Sequence, residues 1–159
     1  MRRGVELDRA FRIWHRALTA AGPQRMKNWI LLAGVGQLVL ALGSLAIPRV
    51  LRWKEDVAQL RRLTRQVFWT YAAYIWSTNV AFGLVSVLAP ESLIDGSILA
   101  RCVCGFIAAY WGARVLIQIF WFDRSDAPSG IMIRVAEAAL TLLFAALTIV
   151  YGWAAFRGA

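Results

Sequence analysis

Four long apolar runs constrain this chain more than any other feature: residues 29–47, 67–88, 98–122 and 131–156. Each approaches or exceeds the ~20 residues a helix needs to cross a hydrocarbon core of ~30 Å. Inside lipid the backbone has no water to bond, so a spanning segment must be a helix or part of a closed barrel. Barrel strands are roughly 10 residues long with alternating polarity, and these runs are longer and continuously apolar. The expected fold is therefore all-α, an integral membrane bundle of four transmembrane helices. Hydrophobic residues make up 60% of the chain and the mean hydropathy is +0.57, against about 45–50% apolar in soluble domains. Polar breaks at 48–66, 90–97 and 123–130 separate the runs, and 157–159 is a short C-terminal tail. The first run is the shortest, and a re-entrant segment that does not fully cross is the alternative reading for it.

Charge is distributed unevenly. Of the 18 Lys and Arg residues, seven lie in the tail (Arg2, Arg3, Arg9, Arg12, Arg16, Arg25, Lys27) and six in the first loop (Arg49, Arg52, Lys54, Arg61, Arg62, Arg65). The second loop carries only Glu91 and Asp95. Basic residues in short loops favour the cytoplasm, yet a spanning first run puts the tail and the first loop on opposite sides. A start at Met26 removes that conflict and leaves both termini outside, with the first and third loops cytoplasmic, in a bacterial inner membrane. Residues 1–28 otherwise read as a basic amphipathic helix, because Leu7, Phe11, Trp14 and Leu18 recur at helical spacing among arginines. The first loop is a basic amphipathic segment of the same kind, with Val50, Trp53, Val57 and Leu60 on one face. Its expected partner is a bilayer with anionic headgroups. Basic charge also suits nucleic acid, but here it abuts membrane spans and no nucleic acid is expected. Phe68, Trp69, Tyr71 and Trp121 form one interfacial belt, and Trp29 and Trp153 the other.

No cofactor or metal is expected. Cys102 and Cys104, two apart on a helix, point away from each other. A C-x-C pair without nearby His or further Cys is a weak metal signal. The only histidine, His15, lies outside the runs, which excludes a haem held by two histidines of this chain.

Arg114 and Glu137 are the charged residues set deepest in the runs. A charge at the centre of a spanning helix costs about 2.5–3.5 kcal/mol and usually faces protein or water, often with a partner. Helical spacing supplies neighbours. Ala33, Gln37, Ala41 and Ser44 share a face of the first helix, and Ala72, Asn79, Gly83 and Ser86 share one on the second. On the fourth, Glu137, Thr141, Phe144, Thr148 and Tyr151 lie opposite Val135, Ala139, Leu142, Ala146 and Ile149. The third helix has two specialised faces, Arg101–Gly105–Ala108–Gly112 and Ile107–Tyr110–Arg114–Gln118–Trp121. Measured from the helix ends, Arg114 lies roughly 12 Å and Glu137 about 9 Å deep, so the two are expected at comparable depth. The candidate binding or structural cluster is Arg114, Glu137, Gln118, Asn79, Gln37 and Thr141, with Arg114–Glu137 as a buried ion pair. No residue is assigned a catalytic role.

Trp111-Gly112-Ala113-Arg114-Val115-Leu116-Ile117-Gln118-Ile119-Phe120, continuing to Phe122-Asp123, resembles a pattern in small uncharacterised bacterial four-helix membrane proteins. Ile47-Pro48-Arg49-Val50 followed by Arg65-Gln66-Val67-Phe68-Trp69 is similar to the same group. The resemblance covers about residues 26–156 and implies the bundle, with no activity and no catalytic residues. Nothing in the sequence matches a phosphate loop, a nucleophile with its base, or a metal-ligand set. The first functional expectation is a non-catalytic membrane protein, an accessory subunit of a larger assembly or a homo-oligomer. The alternatives are a small oligomeric transporter or channel with Glu137 titrating, and a lipid- or quinone-binding enzyme subunit.

Overall fold

The structure, a computed structural model, describes residues 2–121 and 130–157; side chains are described from Gln24 onward, apart from Met132 and Arg157. The expected tail face of Leu7, Phe11, Trp14 and Leu18, and most of the third loop, lie outside those described residues. The helices are α1 (Arg2–Ser44), α2 (Ile47–Val50), α3 (Trp53–Ala58), α4 (Arg62–Leu88), α5 (Ile98–Phe120) and α6 (Ile131–Arg157), with no strand among the described residues. Four segments are long and apolar enough to cross a membrane: Gln24–Val50, Arg62–Leu88, Ile98–Phe120 and Ile133–Phe156.

The helices form two antiparallel hairpins. α1 packs along α4, α5 packs along α6, and α1 also touches α6. Apolar contact alone does not drive helices together in lipid, because the acyl chains are as apolar as the side chains. Close approach of small residues and interhelical hydrogen bonds do. Gly34 and Gly83 provide the α1–α4 approach. A Cβ on Gly34 would stand 2.8 Å from Ser86 Cβ and 3.1 Å from the Gly83 carbonyl oxygen. Trp76 Nε1 adds a bond across the same pair, donating to the Ala41 carbonyl at 2.9 Å. On the other hairpin, Gly105 faces Ala155, Gly152 faces Ala108, and Gly112 faces Thr148. The groove of small residues on α5 is thus the seat of α6.

Polar breaks mark where lipid ends, and helices run past them. α4 begins at Arg62, five residues before its apolar run, since arginine is a good helix former and needs no lipid. The first loop folds as well. Pro48 sits in the first turn of α2, where its missing N–H costs nothing. Arg52 then breaks the chain in the left-handed region at φ 51° before α3 starts. Trp53 packs edge-on against Phe68 at 5.1 Å, and Val57 is buried, so this strap is docked at the start of α4. At the opposite end of the bundle, residues 89–97 turn through Gly96 at φ 80°, and Ser97 caps α5 by accepting from the Ala100 N–H at 3.1 Å. Leu93 of that turn is buried, and its carbonyl accepts from Cys104 Sγ at 3.3 Å.

Candidate functional site

A hydrogen-bonded chain joins all four long apolar helices at the centre of the bundle. Gln37 of α1, Ser86 of α4 and Tyr151 of α6 are fully buried, and Trp111 of α5 is nearly so. Trp111 Nε1 donates to Gln37 Oε1 at 3.1 Å, and Gln37 Nε2 donates to the Tyr151 hydroxyl at 2.6 Å. Ser86 Oγ donates to the Phe82 carbonyl at 2.7 Å. A serine has one proton to give, so Tyr151 is the donor in its 2.6 Å bond with Ser86. The chain therefore has a single direction, from Trp111 through Gln37, Tyr151 and Ser86 to the backbone of α4. No buried side-chain nitrogen or oxygen among the described residues lacks a partner. Each link removes a polar group that would otherwise be stranded in an apolar medium.

The sequence-derived cluster divides around this chain. Gln37 belongs to it. Asn79 belongs to a second contact, accepting from the Tyr110 hydroxyl at 2.9 Å, beside edge-on packing of Tyr110 against Phe82. Thr141 turns back on its own helix, its hydroxyl donating to the Glu137 carbonyl oxygen at 2.9 Å. Arg114 is half-buried, its guanidinium 5.9 Å over the Phe144 ring. The other edge of the story is Trp111, whose indole stacks on Phe144 at 5.1 Å. Phe144 therefore lies beside both the central chain and Arg114. Gln118 and Glu137 are likewise half-buried, on α5 and α6.

Depth differs from the reading based on helix ends. The Gly112–Thr148 and Gly105–Ala155 contacts fix the register of α5 on α6 and place Arg114 near the level of Phe144 to Ala146. Glu137 lies seven residues before Phe144, roughly 10 Å nearer the α2–α3 end of the bundle along the axis. Helix ends mislead because α6 starts further out than α5 stops. Gln118, one turn beyond Arg114 toward the same end, lies between the two levels.

Ser86 and Tyr151 fall on the polar stripes of their helices, and those stripes were the signal for them. Trp111 lies between the two faces assigned to α5, and nothing in the spacing marked it. The two cysteines are free, Cys102 exposed and Cys104 buried, as expected for positions on opposite faces. Among the described residues there is no group of three or more His, Cys, Asp or Glu side chains able to hold a metal.

At the end of the bundle away from α2 and α3, Lys27 near the start of the first apolar segment pairs with Glu91 in the α4–α5 turn. That hydrogen bond, and then the ammonium charge, holds the Glu91 carboxyl below its ordinary range. Asp95 is also held down, by bonds from Ser97. Compared with known proteins, the chain matches no protein-family model, no curated protein and no solved structure.

Proposed function

We propose that this chain is a non-catalytic integral membrane protein, an accessory subunit of a larger membrane assembly. The observation that carries this reading is the Trp111–Gln37–Tyr151–Ser86 chain. The polar groups at the bundle centre are committed to one another and tie four helices into one register, which suits a rigid body that binds a partner. In this reading Arg114 and Glu137, both half-buried, neutralise each other, the long Arg114 side chain reaching toward the level of Glu137 past Gln118. Arg114 already leans toward α6, over Phe144.

The membrane is a bacterial cytoplasmic one, with the first and third loops inside. Support comes from the loops, six basic residues in the first against Glu91 and Asp95 alone in the second. The expected result is a stoichiometric membrane partner, or a second copy, retained when the native protein is purified in mild detergent. Solute movement by the purified chain alone, dependent on pH and lost in Glu137→Gln, would instead establish the reading as a small oligomeric transporter with Glu137 titrating. Glu137's partial exposure near the surface is the observation favouring that second reading.

A further inference from the structure

Five cations at one end of the bundle have no ion-pair partner among the described residues. Arg52 is paired with Glu55, whereas Arg49, Lys54, Arg61, Arg62 and Arg65 are exposed and unmatched. Arg61 and Arg65, and Arg62 and Arg65, are helical neighbours of like charge, an arrangement that is unfavourable unless an anion lies between them. α4 also begins without a side-chain cap, leaving the N–H groups of its first turn available to an acceptor. At 27 residues, α4 is roughly 40 Å long, about 10 Å more than a hydrocarbon core requires. Its first turns therefore stand at headgroup level.

A second feature adjoins these cations. An open groove of about 410 Å³ runs along the outer face of α4, lined by Trp69, Thr70, Ala73, Tyr74 and Ser77. Thr70, Ala73 and Ser77 form its low floor and the two aromatics its walls. Trp69 also belongs to the edge-on cluster with Trp53 and Phe68, so the groove opens beside the strap. Arg65 is one turn and Arg62 two turns above Trp69 on that side of the helix. Lys54 is next to Trp53.

We propose that the strap and the outer face of α4 bind a single anionic phospholipid, its phosphate held by Lys54, Arg62 and Arg65 and one acyl chain lying in the groove from Trp69 to Ser77. The site rests on the membrane-spanning reading. It goes beyond general attraction to a charged bilayer, because Arg62, Arg65 and the groove lie on adjoining parts of one side of α4, with Lys54 of the docked strap beside them. A zwitterionic lipid fills the groove equally well but gains less from the unmatched charge, because its own ammonium offsets its phosphate.

The test is lipid binding to the purified, delipidated full chain by native mass spectrometry, with phosphatidylglycerol and phosphatidylcholine as probes. Phosphatidylglycerol is expected to bind at least about tenfold more tightly. Each basic side chain at a membrane surface contributes about fivefold, so Arg62→Gln with Arg65→Gln should weaken phosphatidylglycerol roughly 25-fold and phosphatidylcholine clearly less. Ala73→Trp, which fills the groove from its exposed side, should weaken both lipids. Arg101→Gln, at the opposite surface, should weaken neither. Equal binding of the two lipids, an unaffected charge variant, an unaffected groove variant, or an equal loss in Arg101→Gln overturns the site. Extraction from vesicles by alkaline carbonate overturns the spanning reading together with the site. A chain that resists extraction and shows no lipid preference overturns the site alone.

Discussion

Replacing Tyr151 with Phe removes one oxygen and keeps the ring. That oxygen accepts from Gln37 Nε2 and donates to Ser86 Oγ, both at 2.6 Å. Ser86 retains its bond to Phe82, but Gln37 Nε2 is left with the Ala33 carbonyl at 3.4 Å, which is a weak contact. Interhelical hydrogen bonds in membranes average about 0.6 kcal/mol, so two lost bonds amount to roughly 1.2 kcal/mol. A buried donor left nearly unmatched adds about 1 kcal/mol or more. The expected loss is therefore about 2 kcal/mol, read as a shift in the unfolding midpoint in mixed detergent micelles. Gln37→Leu strands the Trp111 N–H and should cost a similar amount. The two sites share a bond, so the double variant should lose clearly less than the sum of the singles. Additivity within about 0.3–0.5 kcal/mol, or a Tyr151→Phe protein as stable as the parent, refutes the linked chain.

Two other perturbations have defined signs. Gly34→Ala drives a methyl to 2.8 Å from Ser86 Cβ and 3.1 Å from the Gly83 backbone oxygen, so it should separate α1 from α4 and destabilise by about 1–3 kcal/mol. Gly43→Ala meets nothing within 4 Å and should be neutral or mildly stabilising in the same unfolding assay. Glu91 has a depressed carboxyl pKa in the folded chain. Its pairing with Lys27 therefore favours the fold above the unfolded carboxylate pKa and is lost as pH falls through the lower folded value. Lys27→Gln should restore an ordinary carboxyl titration for Glu91, followed by NMR, and abolish that component of acid sensitivity.

The four long helices were legible because a continuous apolar run of about 20 residues leaves the backbone few ways to satisfy its own hydrogen bonds. Faces were legible where a helix has one inside and one outside. On α6, Phe144 and Tyr151 are buried while Leu142 and Ile149 face out, as the stripe implied. Gln37 could be picked out as a polar residue on a small-residue face. Its partners were harder, because Trp111 reads as an interfacial aromatic or packing residue until the hairpins are assembled. Gly34 is similar. It lies beside the Ala33–Gln37 stripe, and its value appears only when Gly83 comes against it. The helical face of the first loop was legible in the spacing of Val50, Trp53, Val57 and Leu60, but its break at Arg52 and its docking on α4 through Trp53 and Val57 were not, because both depend on tertiary packing. The depth of Arg114 relative to Glu137 depends on the register of α5 against α6, which the Gly112–Thr148 contact sets and no helix end reveals.

Mutual compensation of polar groups inside the membrane is most directly tested at Arg114 and Glu137. Arg114→Leu, Glu137→Leu and the double variant should be compared for unfolding stability in the same detergent mixture. A charge left alone at the centre of a spanning helix costs about 2.5–3.5 kcal/mol, so Glu137→Leu, which leaves the deeper Arg114, should lose up to about that much, and Arg114→Leu, which leaves the shallower Glu137, should lose less. Removing both charges leaves none to compensate, and the double variant should be more stable than either single one. A double variant as unstable as the worse single variant contradicts the pairing.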